Sequence, residues 1–198
     1  MSHEKQTQVL DFWFGEDPLK EVDNMEKWFS KNASFDESIR AQFQDMVTQA
    51  AQGAFDDWGK TPRGALALVI LLDQFPRNIF RNDPRSFAND EHARRIAEMA
   101  LDRGFDQQLN TMERCFLYLP LEHSEDISAQ DRSVALFKDL AASALPEESK
   151  AIAEAFEYAL RHRDIIQQFG RFPHRNEILG RDSTKAEAAF LKTPNSGF

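Results

Sequence analysis

The stretch Thr61-Pro62-Arg63-Gly64-Ala65-Leu66-Ala67-Leu68-Val69-Ile70-Leu71-Leu72-Asp73-Gln74-Phe75-Pro76-Arg77-Asn78 decides the fold. Thr61 before Pro62 has the form of an N-cap and first helical residue, because proline has no N–H to satisfy at that position. From Ala65 to Leu72 no position is polar, so a helix here has no solvent face and belongs at the centre of a domain, enclosed all round. Pro76 lacks a donor and disfavours helical backbone in the residue before it, which predicts that this helix ends near Phe75. The apolar run is far too short to span a bilayer.

On both sides of this segment apolar residues recur three and four positions apart, valine is scarce, and no strand is apparent, so helices are expected nearly throughout. Val9, Leu10, Phe12, Trp13 and Phe14 run into Gly15 and Pro18, a helix stop. A short helix is expected around Met25 to Ser30, with Trp28 and Phe29 turned inward. Ile39, Phe43, Met46, Val47 and Ala50 form one stripe of a helix from Ser34 that ends near Gly53. Further helices are predicted from Asp90 to Arg103, after the capping-box spacing of Asn110 and Glu113, from Ala129 to Ala142, from Pro146 to Phe169, and after Thr184 with Glu187 through Phe190. Arg77 to Asn89 forms a polar turn region. No linker divides the chain, so residues 1–198 make one helical domain, with residues 1–5 and 192–198 expected to be flexible ends.

Composition narrows the function classes. The 198 residues carry 24 Lys and Arg against 33 Asp and Glu, a net charge of −9, which repels phosphate backbones and anionic lipid. Neither nucleic acid nor a membrane is therefore an expected partner. With 17 Phe and 3 Trp there is enough apolar bulk to offset chain entropy. One cysteine, Cys115, excludes an intramolecular disulfide, and its neighbours Phe116, Leu117 and Leu119 make it a core thiol. The polar start has no apolar leader core, and a reducing cytoplasm fits best.

Three phrases place polar groups beside apolar helices. Leu72-Asp73-Gln74-Phe75-Pro76-Arg77-Asn78 and Gln168-Phe169-Gly170-Arg171-Phe172-Pro173-His174-Arg175-Asn176 look alike: each has an aromatic-proline step closing a helix, then Arg-Asn. The third is Tyr118-Leu119-Pro120-Leu121-Glu122-His123-Ser124-Glu125-Asp126. The three apolar helices should bring these phrases together on one side. Two readings of the arginines stand. Guanidinium forks suit carboxylate and phosphate, so Arg77, Arg171 and Arg175 could hold a small anion while Asp73, Asn78 and Asn176 complete the site. Alternatively, the two arginine-rich stretches, Arg77, Arg81 and Arg85 and then Arg161, Arg163, Arg171, Arg175 and Arg181, pair internally with the acidic stretch Glu122, Glu125, Asp126 and Asp131.

Within the first reading His123 or His174 transfers a proton, with Glu122 beside His123 as a further acid–base candidate. Phe80 and Phe87, set among Arg81 and Arg85, would border such a cleft. Known motifs fail otherwise. Gly59-Lys60-Thr61 lacks the first glycine and the strand of a phosphate loop, and there is no Gly-x-Ser-x-Gly elbow. His123, His162 and His174 with Glu122 or Asp73 could in principle converge on a metal, but no His-x-x-x-His or Glu-x-x-His spacing exists, so no metal and no cofactor is assigned, and a metal-dependent hydrolase ranks behind a metabolite-binding protein and a protein-interaction module.

Val9-Leu10-Asp11-Phe12-Trp13-Phe14-Gly15, Leu71 to Asn78, Tyr118 to Glu125 and Gly170 to Asn176, in that order, resemble the bacterial domain-of-unknown-function 924 family, over about residues 6 to 191. The resemblance implies an all-α, tetratricopeptide-like array of antiparallel helices around one buried central helix. The chain itself shows no period of about 34 residues. The family brings no accepted activity, so the resemblance assigns no catalytic residue.

Overall fold

The computed structural model describes residues 2–15, 28, 30–194 and 196–197, and among them there are helices and turns but no strand. α1 (Ser2–Phe14) ends on Gly15 at φ +89°, a left-handed conformation that glycine adopts without strain. Met25 to Lys27 and Phe29, of the helix expected next, lie outside the described residues. Trp28 is buried and donates its indole N–H to the Trp13 carbonyl at 3.0 Å. α2 (Ala33–Ala51) is capped by Asn32, whose side chain accepts from the Ser34 and Phe35 N–H groups. Its buried residues are the predicted stripe, Ile39, Phe43, Met46, Val47 and Ala50.

α3 (Pro62–Val69) opens as expected: Thr61 Oγ1 accepts from the Gly64 N–H, and Ala65 to Leu72 are fully buried. α1, α2, α5 (Asp90–Asp102) and α6 (Thr111–Glu122) surround this rod. Trp13 lies 5.6 Å from Phe75 and 5.5 Å from Phe116 between ring centroids, and Phe43 lies 4.8 Å from Phe75, so one aromatic cluster joins α1, α2, α6 and the rod.

The end of the rod corrects the expectation. The helix does not stop at Phe75. Ile70–Gln74 widens into a π-type turn, in which the Phe75 N–H reaches back five residues to the Ile70 carbonyl, and α4 (Phe75–Ile79) continues through Pro76. A proline crowds the carbonyl one turn earlier and forfeits one hydrogen bond. A helix end in the dry core would instead strand up to four carbonyls, so a widened turn is the smaller penalty.

α6 behaves alike. Its capping box forms as predicted, with Glu113 N–H donating to Asn110 and the Asn110 N–H to Glu113, but the helix runs through Pro120 to Glu122 and His123 is its C-cap. α7 (Ile127–Ser143) and α8 (Ser149–Phe169) pack on each other and on α6. Only at the end of α8 does the aromatic-proline phrase lie outside a helix. Gly170 stops the helix at φ +70°, and Pro173–Arg175 forms a single 3-10 turn. α9 (Lys185–Phe190), with the Thr184–Glu187 capping box, packs Phe190 on Phe169 at 5.1 Å. Among the described residues no helix is long and apolar enough to cross a membrane.

Candidate functional site

Because the rod continues past Pro76, Asp73 in the widened turn and Arg77 in α4 stand one turn apart at the same end of one element. The C-cap of α6, the first residue of α5 and the Pro173–Arg175 turn arrive at that end. Asp73 is fully buried, and its carboxylate lies 2.8 and 3.0 Å from Nδ1 of His123. The Gln74 side-chain amide donates to the same carboxylate, and Arg77 Nη1 lies 3.2 Å from it. Arg77 then forks onto Asp90, at 2.9 and 3.0 Å. Arg175 reaches the same Asp90 carboxylate from the opposite part of the chain at 3.2 Å and donates to the His123 carbonyl at 3.0 Å.

Burial alone would raise the Asp73 carboxyl, but the Arg77 charge and His123 hold it down at about 2. Burial, with Arg77 beside it, keeps the His123 imidazole below its ordinary value against the pull of Asp73 and Asp90. At neutral pH this is therefore a neutral imidazole facing an ionised carboxylate. That partner fixes the ring proton on Nδ1 and leaves the lone pair on Nε2. Arg175 is brought down to about 10 by burial, with Asp90 opposing, and stays charged. Its guanidinium sits 4.7 Å from the Phe87 ring and 4.4 Å from the Phe172 ring, and Arg77 sits 5.6 Å from Phe87.

A groove of about 300 Å³ runs beside these groups, lined by Phe87, Asp90, Arg94, His123, Glu125 and Arg175 among others. Phe87 thus borders a cleft, as its sequence neighbours suggest, whereas Phe80 lies under Arg85 at 4.4 Å.

Behind the groove, Glu122 is buried, with Oε1 3.1 Å from Nδ1 of His162, and that nitrogen also lies 2.8 Å from the Tyr158 carbonyl. Burial, and then the Asp73 charge, push Glu122 up to about 8, while burial pushes His162 well down. The pair is a protonated acid beside a neutral imidazole. His174 is likewise brought down to about 4, by burial and by Arg175.

The structure thus brings Asp73, Arg77, His123 and Arg175 together, with Glu122 and His174 adjoining them. Three of the residues that the sequence placed in the site go elsewhere. Asn78 donates to Asp36 at 2.8 Å, beside Arg81, and ties α4 to α2. Arg171 forks onto Glu187 at 2.6 and 2.9 Å and holds α9. Asn176 bonds Ser183 and Arg181 at 3.0 Å each. The expected acidic stretch pairs with those arginines only in part: Glu125 with Arg181 at 2.7 Å and Asp131 with Arg163 at 2.6 Å, while Asp126 lies 3.8 Å from Arg94 and Glu122 pairs with His162 instead.

Sequence reasoning missed Asp90, and it weighed His162 only among the residues that could converge on a metal. Asp90 carries one faint signal, an acid in the first turn of a helix directly after an arginine-rich turn. The direct pairing of His162 with Glu122 has no local signal, because Glu122 is forty residues away in sequence and meets it only through packing. Among the described residues no group of three or more His, Cys, Asp or Glu side chains could hold a metal ion.

No curated protein matches the chain. A solved structure of a protein of unknown function from Agrobacterium tumefaciens is similar over 97% of this chain and 99% of that one, with a TM-score of 0.84 and 38% identity. The sequence pattern of a bacterial protein family of unknown function matches residues 9–195, from within α1 to beyond α9 and across every phrase that builds the groove. The chain belongs to that family, the bacterial domain-of-unknown-function 924 proteins.

Proposed function

We propose that this protein binds a small anionic metabolite in the groove beside Arg175, and that His123, oriented by Asp73, exchanges a proton with it. The observation that carries this reading is the contact of 2.8 Å between the buried Asp73 carboxylate and Nδ1 of a neutral His123 that lines the groove. A carboxylate behind a histidine sets its tautomer and raises the basicity of the other nitrogen, the arrangement that general acid–base chemistry needs. The groove volume is at the lower end of the range for small-molecule sites, which favours a ligand of metabolite size.

The packing of α6 on α7 and of α7 on α8 supports a tetratricopeptide-like scaffold beneath this groove. A cytoplasmic setting fits the buried thiol of Cys115.

The test is a titration of the isotopically labelled protein with inorganic phosphate and with acetate at pH 7, followed through backbone amide signals. Phosphate or acetate should shift the amides of Ala88, Ser124 and Glu125. Arg175→Gln should abolish the response and Arg171→Gln should keep it. Silence of those amides to both anions, or an unchanged response in Arg175→Gln, would overturn the reading.

A further inference from the structure

Two guanidiniums converge on one carboxylate here. Arg77 gives Asp90 a two-pronged contact and Arg175 gives it a third. Each cation also has partners besides Asp90. Arg77 Nη1 also donates to the Asp73 carbonyl at 2.9 Å, and Arg175 donates to the His123 carbonyl and lies against the Phe87 and Phe172 rings. Arg175 is moreover nine-tenths buried, and its Nε has no acceptor among the described residues. Asp90 is the carboxylate that meets the groove: it is the first residue of α5, it lines the groove, and its side chain is 16% exposed, against 7% for Arg175 and 20% for Arg77.

Charge decides how an anion could enter. Asp73 and Asp90 balance Arg77 and Arg175, and the groove wall also carries Glu91 and Glu125. Glu91 is paired with Arg94 at 2.9 Å and Glu125 with Arg181 at 2.7 Å, so an anion added on top of this set would find no unpaired cation among the described groove residues and would face the Asp90 carboxylate. An anion that replaces Asp90 leaves the charge balance unchanged and inherits a preformed fork.

We infer that Asp90 is an internal stand-in for the ligand: the bidentate oxyanion of a carboxylate or phosphate displaces it from Arg77 and Arg175. The inference rests on the anion-binding reading above and adds its mode, competition with the protein's own side chain. It makes an unusual demand, because deleting a residue that lines the site should strengthen binding.

Thermal unfolding of wild type, Asp90→Ala and Asp90→Ala/Arg175→Gln in chloride, acetate and phosphate at matched ionic strength tests it. Asp90→Ala should melt lower than wild type in chloride and recover in acetate or phosphate. Its apparent affinity for the better anion should exceed that of wild type by roughly tenfold, which is about 1.4 kcal/mol. The double variant should not respond. Which anion rescues better tells a carboxylate seat from a phosphate seat.

An Asp90→Ala protein that binds no tighter than wild type, while wild type still shows the amide shifts, overturns this inference alone. Indifference of every protein to both anions overturns the anion-binding reading with it. If Asp90→Ala does not fold in chloride, refolding in acetate or phosphate is the same rescue, and failure to refold in either overturns the inference.

Discussion

At the scale of single residues, burial sets the chemistry. Glu122 keeps its proton up to about pH 8 because burial, aided by the Asp73 charge, penalises the carboxylate, whereas in the unfolded chain it ionises near 4.5. Between those values the unfolded chain has released a proton that the native protein holds, so Glu122 makes stability fall as pH rises from about 4.5 to 8. Urea unfolding should therefore show wild type losing about 2 kcal/mol between pH 6 and pH 8 relative to Glu122→Gln, whose curve lacks this slope.

His174 acts on the other side. Its native value of about 4 lies below the ordinary 6.5, so the unfolded chain takes up a proton that the native protein refuses, and stability falls as pH drops from 6.5 towards 4. Asp73, held at about 2, contributes stability that is present above about 3.8 and is lost as pH falls towards 2. Asp73→Asn should cost roughly 3 kcal/mol at pH 7 by chemical denaturation, because it breaks a buried network. Asp131→Asn, at an exposed pair with Arg163, should cost under about 0.5 kcal/mol.

Residues at this scale were legible where a polar group follows an apolar rod. Asp73, Arg77, His123 and Arg175 all satisfy that rule and do meet. Asp90 does not, since it follows a turn, and nothing in its spacing names its partners.

At the scale of elements, local chemistry was readable and tertiary cost was not. Caps depend on residues three apart, so Thr61, Asn110 and Thr184 could be assigned from sequence, and each accepts the expected N–H. Pro76 and Pro120 could not be, because their local preference to end a helix is overruled by surroundings that offer stranded carbonyls no water. The start of the central rod is the most exacting point. A Cβ on Gly64 would collide with the Trp58 carbonyl and come within 2.7 Å of the Thr61 hydroxyl that caps the helix. Gly64→Ala should therefore destabilise the protein by about 3 kcal/mol, read as a fall in the urea midpoint with an unchanged slope. Asn110→Ala, which removes a cap, should cost about 1 kcal/mol by the same measurement.

At the scale of the whole molecule, the enclosed rod explains why residues from distant parts of the chain share one groove. Its C-terminal end carries Asp73 and Arg77, and the helices packed around it deliver His123 and Asp90 to the same place. The two look-alike phrases diverge for the same reason. Asn78 and Arg171 stand beside site residues in sequence, yet Asp36 and Glu187 reach them from α2 and α9 and turn them to structural use. Sequence shows which residues are adjacent along the chain but not which acid packing will bring to each.

This assigns different fates to two arginines of one motif. Arg171→Gln should loosen α9, seen as faster amide hydrogen exchange at residues 185–190, without affecting the groove. Arg175→Gln should leave that exchange unchanged.

The most direct test of the account is the protonation state of the His123 ring, read by nitrogen NMR of the imidazole at pH 7. A neutral ring with its proton on Nδ1 is the result that a buried, ionised Asp73 requires. An imidazolium, or a neutral ring with its proton on Nε2, would contradict the proposed dyad and the proton exchange built on it.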